Sequence, residues 1–369
     1  MDIKKDERII LTLDAGGTNF IFTAIQNNQQ IIDSIRLPSE AHNLENCIEN
    51  IISGFSRIIN MLDQKPSAIS FAFPGPADYS KGIIGNLPNF EAFNGNTPLG
   101  PILENKFQLP VFINNDGNLF AYGEALSGFL PEVNSRIIET GGIKTFNNLI
   151  GLTLGTGFGG GIVFNKTLVI GDSGCGAEVH NSLNKFNSDW NAEESVSTRA
   201  IQRVYCEESG VTFSDNLMPK NISDIAFGFI EGNQKAAIES FRQYGESLGS
   251  AIANIITLLD GIVVLGGGIT ASWELFAPAM FKEVNRKYYH FTGAENDRLS
   301  IKVFNLEDKE EFKTFALGKI ETIKIPGVNK EIEFDNLPRT GISRSSLGAS
   351  HAIALGAYTF ALQQLDNNS

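Results

Sequence analysis

The chain has 369 residues, so at roughly 150 residues per domain two domains are expected. Its 29 Lys+Arg against 42 Asp+Glu leave a net charge of −13, the wrong sign for holding nucleic acid by phosphate neutralisation or for docking on an anionic membrane. Apolar residues (42%) suffice for real cores, and three distant cysteines, Cys47, Cys175 and Cys206, suit neither a disulfide framework nor a zinc knuckle; the reducing cytoplasm is the expected compartment.

The first apolar stretch, Ile9 to Leu13, is too short for a secretory signal, and no later run approaches the ~20 apolar residues of a bilayer span. Residues 9–15 (IILTLDA) read as a strand ending at Gly16-Gly17. A second strand runs from Phe20 to Ile25 and a third over 30–37. Residues 44–62 place Leu44, Ile48, Ile51, Ile52, Phe55, Ile58 and Ile59 at helical spacing. Short buried strands follow at Ala68–Phe73, stopped by Pro74-Gly75-Pro76, and at Val111–Ile113, ended by Asn114-Asn115-Asp116-Gly117. A helix is expected over 118–127.

The second half repeats this grammar. Leu149–Leu154 reads as a strand, Gly155–Gly161 as a glycine turn, and Ile162–Phe164 as a returning strand. Helices are predicted over 193–206 and 235–258, then an apolar strand over 261–265 closed by Gly266-Gly267-Gly268. The charged stretch 295–345 reads as an insertion before a last helix over about 347–365. The repetition predicts a duplicated domain.

Five places can carry chemistry. Asp14-Ala15-Gly16-Gly17-Thr18 can cradle phosphate, because glycines let backbone N–H groups converge and Asp14 can hold a hydrated Mg²⁺ there; the same residues also suit a plain hairpin. Gly155, Thr156 and Gly157 form a second such turn. Gly155, Gly157 and Gly160 satisfy G-x-G-x-x-G, but β-like residues follow, so the dinucleotide fingerprint is rejected, and no P-loop sequence exists. Asp116 can take a proton from an attacking hydroxyl with Asn115 beside it, or simply cap the next helix. In GCGAEVHN, Glu178 can accept from substrate hydroxyls; His180 can donate to them or pack, and without further ligands it makes no metal site. Gly266, Gly267 and Gly268 can lie flat against a purine or make a tight strand-to-helix connection.

Taken in order, LTLDAGGTN, SFAFPGPAD, NLPNF, INNDGN, LTLGTGFGGGI, GAEVHN, AEESVS, IVVLGGGI and LGAYTFAL resemble the ROK family of sugar kinases within the actin-like ATPase superfamily. The resemblance implies an α/β fold of two RNase-H-like domains with mixed sheets flanked by helices and a ligand cleft between them. It assigns residues 1–118, with the C-terminal helix at about 347–369, to a sugar and phosphate domain, and 119–346, with the insertion, to a nucleotide domain. It implies ATP and Mg²⁺, held by Asp14, Gly16, Gly17, Thr18, Gly155, Thr156 and Gly157, with Gly266–Gly268 near adenosine. Asp116 matches the catalytic base. Gly75, Asn86, Asn89, Asn115, Glu178, His180 and Glu193 match the sugar side. The expected reaction is phosphorylation of a hexose at O6, in a homodimer. A catalytically silent sugar sensor on the same scaffold is the alternative, and an actin-like filament or chaperone ATPase ranks below it. Two departures stand out: the His follows Glu178 one residue early, and NSLNKFNSDWN replaces a Cys-rich knuckle, so no structural zinc is expected. The first strand begins by Ile9, so the helix-turn-helix of family repressors is not expected ahead of it.

Overall fold

The protein is described by a computed structural model covering residues 3–87, 91–214 and 216–367. The chain forms two compact units. The first comprises Met1–Phe129, Gly161–Ala177 and Leu347–Ser369, and the second Leu130–Gly160 and Glu178–Ser346.

In the first unit, β1 (Ile10–Ala15) pairs antiparallel with β2 (Asn19–Gln26). The predicted third strand is interrupted. Asn27 and Asn28, both at positive φ, turn the chain so that Gln29 pairs with Gln26, and pairing resumes only at β3 (Ile35–Pro38). Two successive αL residues make the tight turn whose twist suits a hairpin. Helix α1 (Leu44–Asn60) follows, capped by the Asn43 side chain, which accepts from the Asn46 N–H. Strands β4 (Ala68–Ala72) and β5 (Val111–Asn114) add parallel to β1, giving the order β2–β1–β4–β5. Helix α1 buries Ile51, Phe55 and Ile58 with Leu11, Phe22 and Phe71 in one core. Ile10 and Ala68 pack instead with Leu355, Tyr358 and Leu362 of the C-terminal helix (Ala349–Asn367). Burial on both faces is why β1 alternates so loosely in sequence.

Two helices lack a strong periodic signal in sequence: α2 (Leu99–Phe107), and α4 (Phe129–Glu139) just after α3 (Asp116–Leu126). Helix α3 crosses the C-terminal helix at two glycines. A Cβ on Gly123 would lie 1.9 Å from the Ala352 carbonyl oxygen, and one on Gly356 1.9 Å from that of Leu119. Only bare backbone permits that approach.

The second unit's sheet is built on β6 (Leu149–Leu154), β7 (Phe158–Phe164), β8 (Ile262–Gly266), β9 (Lys302–Asn305) and β10 (Arg339–Arg344), in the order β7–β6–β8–β10–β9. Strands β6, β8, β10 and β9 are mutually parallel. Helices α5 (Thr198–Ser209), α6 (Pro219–Ala226), α7 (Gln234–Leu258) and α8 (Trp273–Val284) share one core with this sheet, including Leu152, Ile201, Ile222, Leu248, Val263 and Phe276.

Three sequence expectations are corrected here. The glycine turn is Gly155–Gly157 only; Gly159–Gly161 belong to β7. A Cβ at Gly159 would meet Thr153 Oγ1 at 2.3 Å, and one at Gly161 the Gly117 carbonyl oxygen at 2.4 Å, so these glycines make room for neighbours. The helix expected from 193 begins at Thr198, after a 3-10 turn over Ala192–Glu194 capped by Asn191. The segment 295–345 is not an appendage throughout, since it supplies β9 and β10, and buried Thr340, Gly341 and Ile342 pair parallel with β9 and β8. Outside the main sheet stand the hairpins Lys287–Tyr289/Glu295–Asp297 and Ile320–Lys324/Glu331–Asp335.

Candidate active site

Each unit places its candidate residues at the carboxyl ends of neighbouring parallel strands, where open α/β sheets bind ligands. In the first unit Asp14 sits at the end of β1, Gly75 just beyond β4, and Asn115-Asp116 just beyond β5. The Phe73 N–H donates to the Asn114 carbonyl at 2.9 Å, and the Gly85 N–H to the Pro76 carbonyl at 2.8 Å, which brings the loops carrying Gly75 and Asn86 to this edge. Asn89 lies outside the described residues.

Asn115, not Asp116, is the N-cap of α3. Its Oδ1 accepts the Asn118 N–H at 2.7 Å. That answers the capping alternative for Asp116. The exposed Asp116 carboxylate accepts only its neighbour's Gly117 N–H, at 2.8 Å on Oδ1, and Oδ2 has no hydrogen-bond partner among the described residues. The Asn115 amide NH₂ likewise remains available as a donor. Asn118 Nδ2 donates to Asn114 Oδ1 at 3.0 Å and stiffens the strand-to-helix corner.

The loop Gly16–Asn19 is both hairpin and open cradle. The Gly16 N–H donates to the Asn19 carbonyl at 3.1 Å. Ser39, almost fully buried, donates from its hydroxyl to the Gly17 carbonyl at 2.5 Å and from its N–H to the Thr18 carbonyl at 3.0 Å. With those carbonyls tied back, the Gly17 and Thr18 N–H groups have no hydrogen-bond partner among the described residues. A Cβ on Gly17 would meet nothing within 4 Å, so the space before the loop is free.

The second unit repeats the device. Thr198, the first residue of α5, donates from both N–H (2.8 Å) and Oγ1 (3.0 Å) to the Gly155 carbonyl. The Gly155 N–H closes onto the Gly157 carbonyl at 3.1 Å. The Thr156 and Gly157 N–H groups have no hydrogen-bond partner among the described residues. Gly266 pairs with Thr153, so the turn after β8 lies beside the turn after β6. Gly267 has φ +96°, and a Cβ there would lie 2.2 Å from the Leu154 carbonyl oxygen; Gly268 faces open space.

Glu178 Oε2 is 3.1 Å from His180 Nδ1, and both side chains are partly exposed. The Glu193 carboxylate points to the second glycine turn, with Oε2 accepting the Phe158 N–H at 2.9 Å and Oε1 3.0 Å from Arg199. The replaced knuckle, 181–191, is held by its own side chains. Asn184 Nδ2 donates to the Asn191 carbonyl and Ser195 Oγ, both at 2.8 Å, and Lys185 pairs with nearly buried Glu283 at 3.0 Å. The three cysteines are free thiols, and burial pushes Cys47 up to about 12, which leaves it inert as a nucleophile.

Sequence reasoning missed Ser39, Thr198 and Arg199. Thr198 carried a faint signal as a Ser-Thr pair at a helix start; Ser39 had none, because its role comes from a register that only the folded sheet sets.

A model of the ROK family matches residues 10–310. The solved structure of a glucokinase from Parabacteroides distasonis is similar at 47% identity and a TM-score of 0.88, covering 98% of this chain and 99% of that one. A glucokinase from Thermotoga maritima is 26% identical over 305 residues, which are 77% of this chain and 90% of that protein. An N-acetyl-D-glucosamine kinase from Vibrio parahaemolyticus is 27% identical over 292 residues, 73% and 87% of the two chains. The two units with helix-flanked mixed sheets are those of the actin-like ATPase sugar kinases, and the chain belongs to the ROK family.

Proposed function

We propose that the protein is an ATP-dependent hexose kinase that phosphorylates the sugar at O6, with Asp116 as the general base. The observation that carries the reading is the division of labour at the start of α3: Asn115 caps the helix and leaves an exposed carboxylate uncommitted beside it. Family membership and the similarity to glucokinases and an N-acetylglucosamine kinase support the sugar-kinase activity. Glucose and N-acylated hexosamines are the first substrates to test.

In this reading the Gly17, Thr18, Thr156 and Gly157 N–H groups hold the phosphates of ATP. Their unpaired state and the empty space before Gly17 and Gly155 fit a phosphate that needs backbone donors and no obstructing Cβ. Gly267 and Gly268 offer bare backbone to the adenosine. Asp14, exposed at the end of β1, would hold Mg²⁺ through water; the ion supplies charge neutralisation on the phosphates. Asn115 donates to a sugar hydroxyl and Glu178 accepts from one, with His180 orienting Glu178 through its 3.1 Å contact. Glu193 keeps acceptor capacity for a sugar hydroxyl beyond the Phe158 N–H and Arg199 it already serves.

Asp116 needs only to accept one proton from O6 as that oxygen bonds to the γ-phosphorus and the bond to ADP breaks. Positioning and electrostatics supply most of such a transfer. Asp116→Asn should abolish sugar phosphorylation in a coupled ADP-release assay while AMPPNP still binds by calorimetry. Near-normal turnover in that variant would remove the base assignment. Sugar binding by the unaltered protein with no ATP consumption would favour the silent sensor. The functional unit in this reading is a cytoplasmic homodimer.

A further inference from the structure

Glu178 and Glu193 stand at the two ends of one clasped loop. The Ala192 N–H donates to the Ser182 carbonyl at 2.7 Å, and Leu183 faces Asn191 as an antiparallel bridge, so the outgoing and returning arms are tied together. Asn184 closes the loop further: its Nδ2 donates to the Asn191 carbonyl, and its Oδ1 accepts the Phe186 and Asn187 N–H groups at 2.9 and 3.2 Å. Val179 and Ala192 seat the base of the loop in the core, and the Trp190 ring lies under the Arg203 guanidinium at 4.8 Å. Among the described residues, Lys185 is the member of 181–191 that makes ion pairs. Its Nζ lies 3.0 Å from Glu283 Oε1 on α8 and 3.7 Å from Glu246 Oε1 on α7. The Lys185 side chain is 19% exposed and that of Glu283 7%, so salt screens the pair weakly. Glu283 does not depend on Lys185 for a counter-charge, because the same Oε1 is 2.6 Å from Arg298 and 3.1 Å from Arg286. What Lys185 adds is the attachment of the loop to two helices.

We propose that Lys185 is a positioning residue for the sugar: it pins the far end of the 181–191 loop to α7 and α8, so that Glu178 and Glu193, one on each arm, are presented together. This rests on the reading of those two carboxylates as acceptors for sugar hydroxyls. The coupling is mechanical. The Ser182–Ala192 clasp makes the arms move as one piece, and Glu178 lies four residues before the clasp and Glu193 one residue after it. Without the pin the loop samples shapes in which the pair is misplaced, and the apparent sugar affinity falls by the fraction of time spent in them. The glycine turns, held by Ser39 and Thr198, keep their own anchors.

The test compares Lys185→Met, which keeps the apolar stem and removes the charge, with Lys185→Arg and Lys185→Gln. Glucose and N-acetylglucosamine affinities are measured by calorimetry without nucleotide, AMPPNP affinity without sugar, KM and kcat with ATP, and hydrogen exchange over the loop and α8. A charge-assisted hydrogen bond is worth about tenfold, so Lys185→Met should weaken the bound sugar by about five- to tenfold and raise its KM to match. Its AMPPNP Kd and its kcat at saturating sugar should stay within about twofold, since the phosphate turns and Asp116 are not touched. Exchange should quicken over 182–192 and not in α8, where Arg286 and Arg298 still pair Glu283. Lys185→Arg should recover sugar affinity to within about threefold, and Lys185→Gln should fall between the two. Unchanged sugar affinity in Lys185→Met would overturn the proposal, as would equal losses of sugar and AMPPNP or a loss of protection in α8, which mark a general structural role. Should Lys185→Met not fold, Lys185→Gln carries the same comparison. An unaltered protein that binds neither sugar would remove the sugar-side reading itself, a result distinct from sugar binding that ignores Lys185.

Discussion

At the residue scale, the corner Asn114-Asn115-Asp116 shows how one substitution can separate folding from function. Asn115 serves α3 with its oxygen, and its NH₂ has no hydrogen-bond partner among the described residues. Asn115→Asp retains the capping oxygen and removes the donor; Asn115→Ala removes both. The alanine variant should lose about 1 kcal/mol of unfolding free energy in urea, the usual worth of such a cap, and the aspartate variant less than about 0.5 kcal/mol. Both should raise the sugar KM by about tenfold or more, because the proposed hydrogen bond to the sugar is gone. An aspartate variant with an unchanged sugar KM would remove Asn115 from the sugar side. The positions of Asp116 at a strand end and of the first glycine turn were legible in sequence from the turn residues that close each strand. Which of Asn115 and Asp116 would cap was not, since both are good N-cap residues and only the backbone at Asn115, φ −81° and ψ 158°, decides.

At the element scale, the tightest contact is between α3 and the C-terminal helix, where Gly123 and Gly356 let the two backbones touch. The crossing holds α3, whose first turn carries Asp116. Gly123→Ala forces a methyl into the Ala352 carbonyl, and overpacking of this kind costs about 1–3 kcal/mol, measurable as a lower urea midpoint at unchanged m. Gly356→Ala should cost as much. The double variant should lose less than the sum, because once the helices have separated the second methyl finds room. A silent Gly123→Ala would mean that the crossing yields easily. Strongly periodic elements such as α1 and α7 were legible from spacing alone. The glycines of β7 misled, because a sequence cannot distinguish a glycine that bends the chain from one that makes room for a neighbour. The β-like run IKVFNL already pointed to β9; β10 was hidden for another reason, since it follows a charged hairpin and its burial comes from parallel partners far away in the chain.

At the scale of the whole molecule, the first unit is assembled from three separate stretches of chain, the last of them the C-terminal helix. That helix buries Leu355, Phe360 and Leu362 among others. At about 1.5–3 kcal/mol for each large apolar side chain, these three contribute about 5–9 kcal/mol, comparable to the entire stability of a typical domain at about 5–15 kcal/mol. A chain ending at Gly348 should therefore lose hydrogen-exchange protection throughout β1, β4 and β5, while β6 and β8 of the second unit remain protected. Retained protection in β1 would show that the sheet stands without its second cover. This dependence was only partly visible in sequence. The last helix was evident from its apolar content, but the face it covers follows from β1 being buried on both sides.

The inward-turned carbonyls of the two glycine turns have a selective side. Ser39 occupies the oxygens of Gly17 and Thr18, and Thr198 that of Gly155 twice over. An alkali ion at either turn would meet two outward N–H groups and few free carbonyl oxygens, with Asp14 the nearest anionic group at the first turn. In the proposed reading, the wiring that suits a polyanion gives alkali metals little backbone oxygen to coordinate.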